Sequence, residues 1–332
     1  MRFTVVCSMK NEGPYIVEWV SWYRRLGFDN IVVVTNDCTD HSPQLLDALA
    51  SAGWITHLPH VVTPDSGICA QKLAAAKTLP EVAGADWVLV CDVDEFLVIH
   101  KGAGEIRDLV PEDAPFLGMA INWRVFGTGG NARWSDGLTH RQFLHCAEAG
   151  DRSGRWIKCI HQRPGWFRRL GEHGPKWLAQ PRAAKWGTPP YVWVDADQRL
   201  IDSYSPRGDY MRKMPAGRQT YATAQMNHYM VRSYESYMLK MGQKSSVAGH
   251  DRYTLSYFEW YDRNENVDRS ALAHATAFDR IHAEAMELPG VRALHHACCA
   301  DYLTRLCAVD GRDPAQDPRF IEHMALADLF RP

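Results

Sequence analysis

The chain has 332 residues, a formal net charge of −2 and a hydrophobic content of 46%, all ordinary for a globular protein. This balance excludes a protein whose whole surface coats nucleic acid or an anionic membrane, and no apolar run approaches the length of a membrane span. The start of the chain lacks the pattern of a signal peptide, and the nine cysteines form no CxxC pairs. We therefore expect reduced thiols and a cytoplasmic location, with peripheral membrane association left open.

The first 126 residues alternate apolar strands with amphipathic helices. Strands are predicted at 3–8, 31–35, 54–58, 87–91 and 116–126. Helices are predicted at 15–26, from the Ser42-Pro43 pair onward, and at 70–79. Elements of this size in this order predict βαβ units, and hence an α/β fold with a mainly parallel sheet flanked by helices.

The most informative stretch is WVLVCDVDEF at residues 87–96, an apolar strand that ends in three carboxylates, Asp92, Asp94 and Glu95. Ligands bind where the strands of a parallel sheet end, and carboxylates placed there need a cationic partner. A divalent metal that carries phosphate oxygens is such a partner. The alternative interpretation is a plain solvated turn.

Two further polar loops follow predicted strands, at residues 10–12 and 36–40, and both contain carboxylates. Because the carboxyl ends of parallel strands lie at one edge of a sheet, we expect these loops and residues 92–95 to form one cleft. The alternative is that these loops are polar only because they are exposed.

Several segments, in this order, resemble a known enzyme group. CSMKNEGPYIVEWVSWYRRLGFDNIVVVTNDCTD is followed by QKLAAAK, ADWVLVCDVDEF, INWRVFGTGG at 121–130 and NHYMVRSYESYMLKMG at 227–242. Together they resemble the nucleotide-sugar glycosyltransferases of the GT-A fold, more narrowly the family 2-like and family 92 group. The resemblance spans residues 3 to 245 and implies a Rossmann-like GT-A sheet domain.

The resemblance implies that Asp94 ligates a divalent metal and that Asp92 faces both the metal and the ribose. Mn²⁺ or Mg²⁺ there would stabilise the pyrophosphate leaving group of the sugar donor. A later histidine often completes the ligands in such enzymes, and the candidates are His228 in NHY and His173 in GEHGP. The matching segment favours His228, and an imidazole ligand favours Mn²⁺.

By the same resemblance, the nucleotide lies over the first two strand ends and the third predicted helix. The residues assigned to it are Lys10, Asn11, Glu12, Asp37, Gln71 and Lys72. Asn11, Glu12 and Asp37 would hydrogen-bond uracil or ribose, and Lys10 would meet a phosphate. Two alternatives stay open, namely Glu12 as a first-turn acid of a helix and Lys72 on a solvated helix face.

The strand predicted at 116–126 leads into GTGG, whose glycines allow close approach of the backbone to a sugar. Trp123 is interpreted either as stacking on a sugar or as core, and Arg124 as pointing into the site or pairing with an acid. The resembled family 92 enzymes invert, which requires a general base for the acceptor hydroxyl. The candidates are Asp136 in WSDGL and Glu95 beside the metal.

Residues 152–185 contain nine Lys or Arg, one acid and interleaved aromatic residues. Such a stretch can bind single-stranded nucleic acid, or pyrophosphate and sugar, and the net charge of −2 favours the second. Lys158 is predicted to neutralise phosphate, because its segment resembles a Lys-Ser-x-x-Arg-Pro region of the family. We expect much of this stretch to be a loop that becomes ordered when the donor binds.

The resemblance fades beyond residue 250, which divides the chain into a catalytic domain at 1–250 and a helical appendage at 251–332. A helix at 233–244 would follow Arg232 and carry Lys240, both possible phosphate or acceptor contacts. In the appendage, helices are predicted at 269–287 and 291–308. The appendage is expected to pack on the sheet domain or on a second copy in a homodimer.

One run in the appendage, HHACC at residues 295–299, suggests zinc by residue type. Ligands this close together are unsuited to a tetrahedral site, so the pattern favours a buried helix face. We therefore expect no zinc site from this run.

The leading hypothesis is a metal-dependent glycosyltransferase that moves a hexose from a UDP-linked donor to a saccharide or other hydroxyl acceptor, as in polysaccharide biosynthesis. One alternative is a nucleotide- or sugar-binding module with the same fold and no activity. A haloacid-dehalogenase-type phosphatase is weaker, because its Asp-x-Asp motif follows the first strand and here the motif follows the fourth.

Overall fold

The computed structural model describes residues 1–63, 67–204, 212–241 and 252–331. The strands are β1 (Phe3–Met9), β2 (Asn30–Thr35), β3 (Thr56–Pro59), β4 (Trp87–Val90), β5 (Glu95–Ile99), β6 (Gly118–Val125), β7 (His145–Cys146), β8 (Ile157–Gln162), β9 (Phe167–Arg169), β10 (Lys176–Leu178), β11 (Trp193–Asp195), β12 (Ala224–His228) and β13 (Asn266–Val267). The α-helices are α1 (Ile16–Arg25), α2 (Ser42–Ser51), α3 (Ile68–Ala76), α4 (Pro80–Ala83), α5 (Ile106–Leu109), α6 (Thr139–Gln142), α7 (Tyr234–Lys240), α8 (Leu255–Tyr261), α9 (Ala275–Met286), α10 (Val291–Val309) and α11 (Pro318–Leu329).

Nine strands form one central sheet in the order β3-β2-β1-β4-β8-β6-β12-β5, with β11 beside β6. Over the residues described, five of its eight strand pairings are parallel and three are antiparallel. The four strands β3, β2, β1 and β4 are parallel neighbours joined through helices. The predicted α/β fold with a mainly parallel sheet flanked by helices is confirmed.

The first strands are buried on both faces because helices cover each face. On β1, Val5 and Cys7 pack in the same core as α1 and α2, whereas Val6 packs with Leu73 of α3. Alternate residues of a strand point to opposite faces, so one apolar run supplies two cores. This explains why residues 3–9 and 87–90 read as continuous apolar segments.

The basic stretch contains a central strand. Residues Ile157–Gln162 form β8, which lies antiparallel between β4 and β6. The expectation that much of residues 152–185 is a loop is therefore wrong for this segment. Its place in the sheet brings Lys158 beside the end of β4.

The C-terminal helices share the core of the sheet. Phe278 of α9 and Val291, Cys298 and Leu303 of α10 belong to the same apolar cluster as Trp19 of α1. The predicted helices at 269–287 and 291–308 correspond to α9 and α10, and α11 follows them. The domain boundary at 250 stays a prediction and lies outside the described residues.

Two observations bear on the cellular setting. All nine cysteines are free thiols, and eight of them are buried. Among the helices described, none is both long and apolar enough to cross a membrane. The predicted helix at 233–244 is observed as α7, with Ser233 as its cap, and residues 242–244 lie outside the described residues.

Candidate functional site

The three carboxylates singled out in the sequence lie in the tight turn between β4 and β5. The Glu95 backbone N–H donates to the Asp92 carbonyl (3.1 Å), and the Glu95 carboxylate accepts the Asp92 backbone N–H (2.8 Å). Glu95 is fully buried, whereas the side chains of Asp92 and Asp94 are 45% and 15% exposed. The turn therefore presents two carboxylates and uses the third to hold its shape.

Lys158 is the buried cation of the turn. Its Nζ lies 2.8 Å from Asp92 Oδ2 and 2.9 Å from Glu95 Oε2. Burial opposes the charge, but Asp92 and Glu95 raise the pKa of Lys158 well above its usual value. Burial also raises the pKa of Glu95, to about 7, although Lys158 works in the opposite direction. One lysine thus compensates two carboxylates that would otherwise repel each other.

His228 closes the other side of the turn. It ends β12, pairs with Glu95 across the antiparallel ladder and is buried. His228 Nε2 lies 3.5 Å from Asp94 Oδ1, and Nδ1 lies 3.8 Å from Glu95 Oε1. Neither His228 Nδ1 nor Glu95 Oε1 has a hydrogen-bond partner among the residues described. Buried polar atoms are normally paired, so these two atoms are candidates for contact with a ligand.

Lys240 is a further cation beside Asp94. Lys240 Nζ lies 3.4 Å from Asp94 Oδ2 and donates to the Met230 carbonyl (2.8 Å). Burial alone would raise the pKa of Asp94, but Lys240 and His228 hold it well below its usual range. Asp94 is therefore ionised at neutral pH and available as a ligand.

Arg232 is a buried arginine next to this group. Its guanidinium lies 3.4 Å from the centre of the Tyr15 ring, and Nη1 lies 3.3 Å from Glu12 Oε2. Burial opposes its charge, but Tyr15 and Glu12 raise the pKa of Arg232. In the described part of the chain, its Nε and Nη2 have no hydrogen-bond partner. Two N–H groups of a fixed arginine suit an anionic oxygen.

The predicted metal ligands meet only in part. Asp94 and His228 are adjacent, whereas the Asp92 carboxylate is held by Lys158. The described residues contain two sets of three His, Cys, Asp or Glu ligand atoms within 4.8 Å of one another, and both sets include Asp136 instead. Carboxylates with an imidazole are donors that suit Mn²⁺. Asp94 and His228 fit such an ion as they stand, whereas Asp92 would have to leave Lys158 to join them.

An aromatic wall stands beside His228. Trp123 stacks on Trp156 with ring centres 5.6 Å apart, and the Trp123 ring lies 4.1 Å from that of His228. His173 packs on both tryptophans, and its Nδ1 lies 2.8 Å from the Ile157 carbonyl oxygen. Burial lowers the pKa of His173 to about 3. These contacts place His173 in the wall and His228 at the acids.

The loops after β1 and β2 are joined to each other. The Asn11 side chain accepts the Thr39 backbone N–H (2.8 Å) and donates to the Thr39 hydroxyl (3.0 Å). Asn11 and Asp37 have positive φ angles of 56° and 44°. The exposed Lys10 and the Glu12 paired with Arg232 lie in the first of these loops. Because β1 is the parallel neighbour of both β2 and β4, these loops and the acid turn share one edge of the sheet.

Gln71 and Lys72 lie on α3, as predicted, but point to different partners. Lys72 is buried, and its Nζ donates to the Met9 carbonyl at the end of β1 (3.4 Å). Burial lowers the pKa of Lys72. Gln71 exchanges hydrogen bonds with Thr63. Lys72 is thus not on a solvated helix face.

Two predicted site residues are directed elsewhere. Arg124 points away from Trp123 and packs on Cys146 (3.3 Å) and the Tyr221 ring, with Asp268 at 3.9 Å. It pairs with an acid, as one of its two interpretations required. Asp136 contacts His295 on α10, which the sequence did not indicate.

Sequence reasoning missed two features of the site. Trp156 is one of the interleaved aromatic residues of the basic stretch, and nothing in that pattern predicts its stacking on Trp123. The contact of Lys158 with both acids was also missed. The available signal was the segment IKCIH at 157–161, a short apolar run interrupted by Lys158 and ended by His161.

Comparisons with known proteins give matches to solved structures. No protein-family model matches this chain, and no curated protein sequence matches it. S. aureus TarS 1-349 shares 10% identity at a TM-score of 0.35, over 99% of this chain and 90% of that one. Glucosyl-3-phosphoglycerate synthase from Mycobacterium tuberculosis, in complex with Mn²⁺, UDP and glucosyl-3-phosphoglycerate, shares 20% identity at a TM-score of 0.26. That match covers 37% of this chain and 44% of the synthase. HddC from Yersinia pseudotuberculosis shares 11% identity at a TM-score of 0.28, over 49% of this chain and 77% of that one.

Proposed function

We propose that this chain is a divalent-metal-dependent glycosyltransferase of the GT-A type that transfers a hexose from a UDP-linked donor. One observation carries the proposal, namely the carboxylate turn at the end of β4 with His228 and the cations Lys158, Lys240 and Arg232 around it. Carboxylates in a turn that only faces solvent need no buried lysine or histidine to compensate their charge. The sequence resemblance to the family 2-like and family 92 group supports the same function.

Asp92, Asp94 and His228 would hold the ion, which we expect to be Mn²⁺ or Mg²⁺. A bound ion would supply positive charge to the pyrophosphate leaving group. Lys158 compensates Asp92 and Glu95, and it would still compensate Glu95 if Asp92 held the ion. Glu95 keeps the turn in shape throughout, since its carboxylate holds the Asp92 backbone N–H.

The cations and the aromatic wall would position the donor. Arg232 carries two buried N–H groups without a partner among the described residues, and Lys240 lies beside Asp94. These donors would bind phosphate oxygens in a site that is shielded from water, where charged hydrogen bonds are stronger. Trp123 and Trp156 offer a flat apolar surface of the kind on which a sugar ring packs.

The general base remains a prediction with two candidates. Glu95 is fully buried and engaged by Lys158, which favours a positioning role over contact with an acceptor. Burial would raise the pKa of Asp136, but His295 holds it below its usual range, which weakens Asp136 as a base. An inverting mechanism, a saccharide acceptor, a cytoplasmic location and a homodimer also stay predictions.

The test is calorimetric titration of the purified chain with UDP and with GDP, each with and without Mn²⁺. We expect UDP to bind only with Mn²⁺ and at least tenfold more tightly than GDP. The variant Asp94→Asn should lose this Mn²⁺-dependent binding, whereas the exposed Asp113→Asn should retain it. UDP release from a panel of UDP-hexoses should then follow the same pattern.

Two outcomes would contradict the proposal. If the folded protein binds neither nucleotide, the carboxylates at residues 92–95 belong to a solvated turn and not to a donor site. UDP binding that needs no metal, survives Asp94→Asn and gives no turnover would indicate a binding module instead. A preference for GDP would change the donor and leave the metal-dependent transferase in place.

A further inference from the structure

Five potential metal ligands converge away from the acid turn. They are Asp136 in the loop between β6 and α6, His295, His296 and Cys299 on α10, and His323 on α11. We call this group the histidine cluster. His295, Cys299 and His323 are buried, and the Asp136 side chain is 27% exposed. The cluster is therefore enclosed on the helical side and open to an entering ion through Asp136.

The ligand atoms of the histidine cluster are closely spaced. His295 Nε2 lies 3.2 Å from each Asp136 carboxylate oxygen and 3.7 Å from Cys299 Sγ. His296 Nδ1 and His323 Nδ1 face each other at 3.1 Å. Asp136, His295 and His296 place ligand atoms within 4.8 Å of one another, and so do Asp136, Cys299 and His323.

Three of these distances, Asp136–His295, His295–Cys299 and His296–His323, are close to the edges of a tetrahedral zinc site. With Zn–N bonds of about 2.0–2.1 Å, two nitrogen ligands stand about 3.3 Å apart, and a nitrogen and a sulfur stand about 3.6 Å apart. Two imidazole nitrogens that face each other need a proton or a metal between them, because two lone pairs repel.

We infer that the histidine cluster is a Zn²⁺ site in which Asp136, His295 and His296 are the ligands, with His323 and Cys299 at its edge. Two imidazole ligands with one carboxylate suit zinc and not Mg²⁺, which prefers oxygen ligands. The expectation from the sequence was the opposite, because the HHACC run alone cannot surround an ion. Asp136 supplies a ligand from a loop that is 159 residues away from His295 in sequence.

The site would attach one loop to two helices. The loop that carries Asp136 also carries Trp134 and Ser135, which line a small cavity together with Arg232 and Tyr15. Zinc would fix this loop against α10 and α11 and so hold one wall of that cavity. A site of this kind contributes directly to folding stability. The inference does not rest on the proposed transferase activity.

The experiment uses the full chain in an Asp94→Asn background, so that an ion at the acid turn does not interfere. Protein freed of affinity tag and metal is titrated with Zn²⁺, and bound zinc is counted by mass spectrometry after gel filtration. We expect about one Zn²⁺ per chain and a rise in Tm of at least about 5 °C at a hundredfold excess over Kd. Co²⁺ in its place should give the intense visible absorption of a tetrahedral complex, which Zn²⁺ abolishes.

Variants separate this site from adventitious binding. The double variant His296→Ala/His323→Ala should lose both the zinc and the Tm rise, and Asp136→Asn, which preserves size, should weaken binding at least tenfold. His145→Ala removes an exposed histidine outside the cluster and should behave like the parent. If the double variant does not fold, Asp136→Asn and the Co²⁺ spectrum decide. Zinc binding that Asp136→Asn leaves unchanged, or a parent chain without the Tm rise, would overturn the inference.

Discussion

Replacing Glu95 with glutamine tests the electrostatics of the acid turn without changing its shape. Glu95 is fully buried, and burial raises its pKa to about 7 against the opposing effect of Lys158. A glutamine side-chain oxygen can still accept the Asp92 backbone N–H. The substitution therefore removes the titration of this carboxyl group and leaves the hydrogen bond that closes the turn.

The expected magnitude follows from the pKa of Glu95. The folded carboxyl group, with a pKa of about 7, binds its proton more tightly than the unfolded one, with a pKa of 4.5. Its favourable contribution is thus fully present below pH 4.5, declines as the pH rises towards 7 and is constant above that. The shift of about 2.5 pH units corresponds to about 3 kcal/mol. The glutamine of Glu95→Gln does not titrate, so it contributes no such dependence of stability on pH.

The assay is urea unfolding of both proteins at several pH values from 4.5 to 8, in EDTA so that no ion occupies the turn. The free energy of unfolding of Glu95→Gln, relative to the parent, should rise by about 3 kcal/mol across this range. The exposed Glu112→Gln is the matched control and should track the parent. A difference that stays flat within about 0.5 kcal/mol, or that falls with pH, would refute the raised pKa.

Three further substitutions test contacts that support the site. Glu18→Gln removes a buried charge 2.7 Å from His140 Nδ1 and should lower the free energy of unfolding by about 2–4 kcal/mol at pH 7. Gly118→Ala places a Cβ 2.2 Å from the Trp193 ring, and we expect a loss of about 1–3 kcal/mol in urea unfolding. Arg232→Lys keeps the charge but loses the planar fork, so UDP affinity should fall about tenfold in calorimetry. A stability change below about 0.5 kcal/mol, or unchanged UDP binding, would contradict the corresponding contact.

The N-terminal part of the fold could be predicted because its signals are local. Residues 3–8 and 87–91 are continuous apolar runs, and the helix at 15–26 has a regular apolar stripe. Each run is long enough to define its own element, and the order of strands and helices then limits the topology. The acids could be placed at a sheet edge because they follow directly on such a run.

Lys158 shows why part of the site could not be predicted. It lies in β8, whose short apolar segment is surrounded by Arg, Gly and Pro residues that are typical of loops. A lysine inside a central strand is costly unless its charge is compensated, and its partners Asp92 and Glu95 are remote in sequence. Only the pairing of β8 with β4 reveals that compensation.

Asp136 shows the same limit of prediction for two residues that are still further apart in sequence. Because Asp136 follows the GTGG loop, the sequence predicts that it lies where the acceptor hydroxyl binds. That prediction is based only on the neighbouring residues. The structure directs it to His295, which lies 159 residues further along the chain. No periodicity or spacing within either segment indicates that pair, because it depends on how α10 packs against the rest of the molecule.

Helix α10 of the C-terminal region packs on the sheet domain, next to one of the loops of the proposed nucleotide site. A Cβ at Gly13 would lie 2.4 Å from Cys298 Cβ, so α10 packs directly on the loop that follows β1. Arg305 of the same helix donates to the Asn11 carbonyl (2.9 Å). Cys299, the residue that follows Cys298 on α10, belongs to the histidine cluster. The same helix therefore contacts the proposed nucleotide loop and carries two of the proposed zinc ligands, His295 and His296.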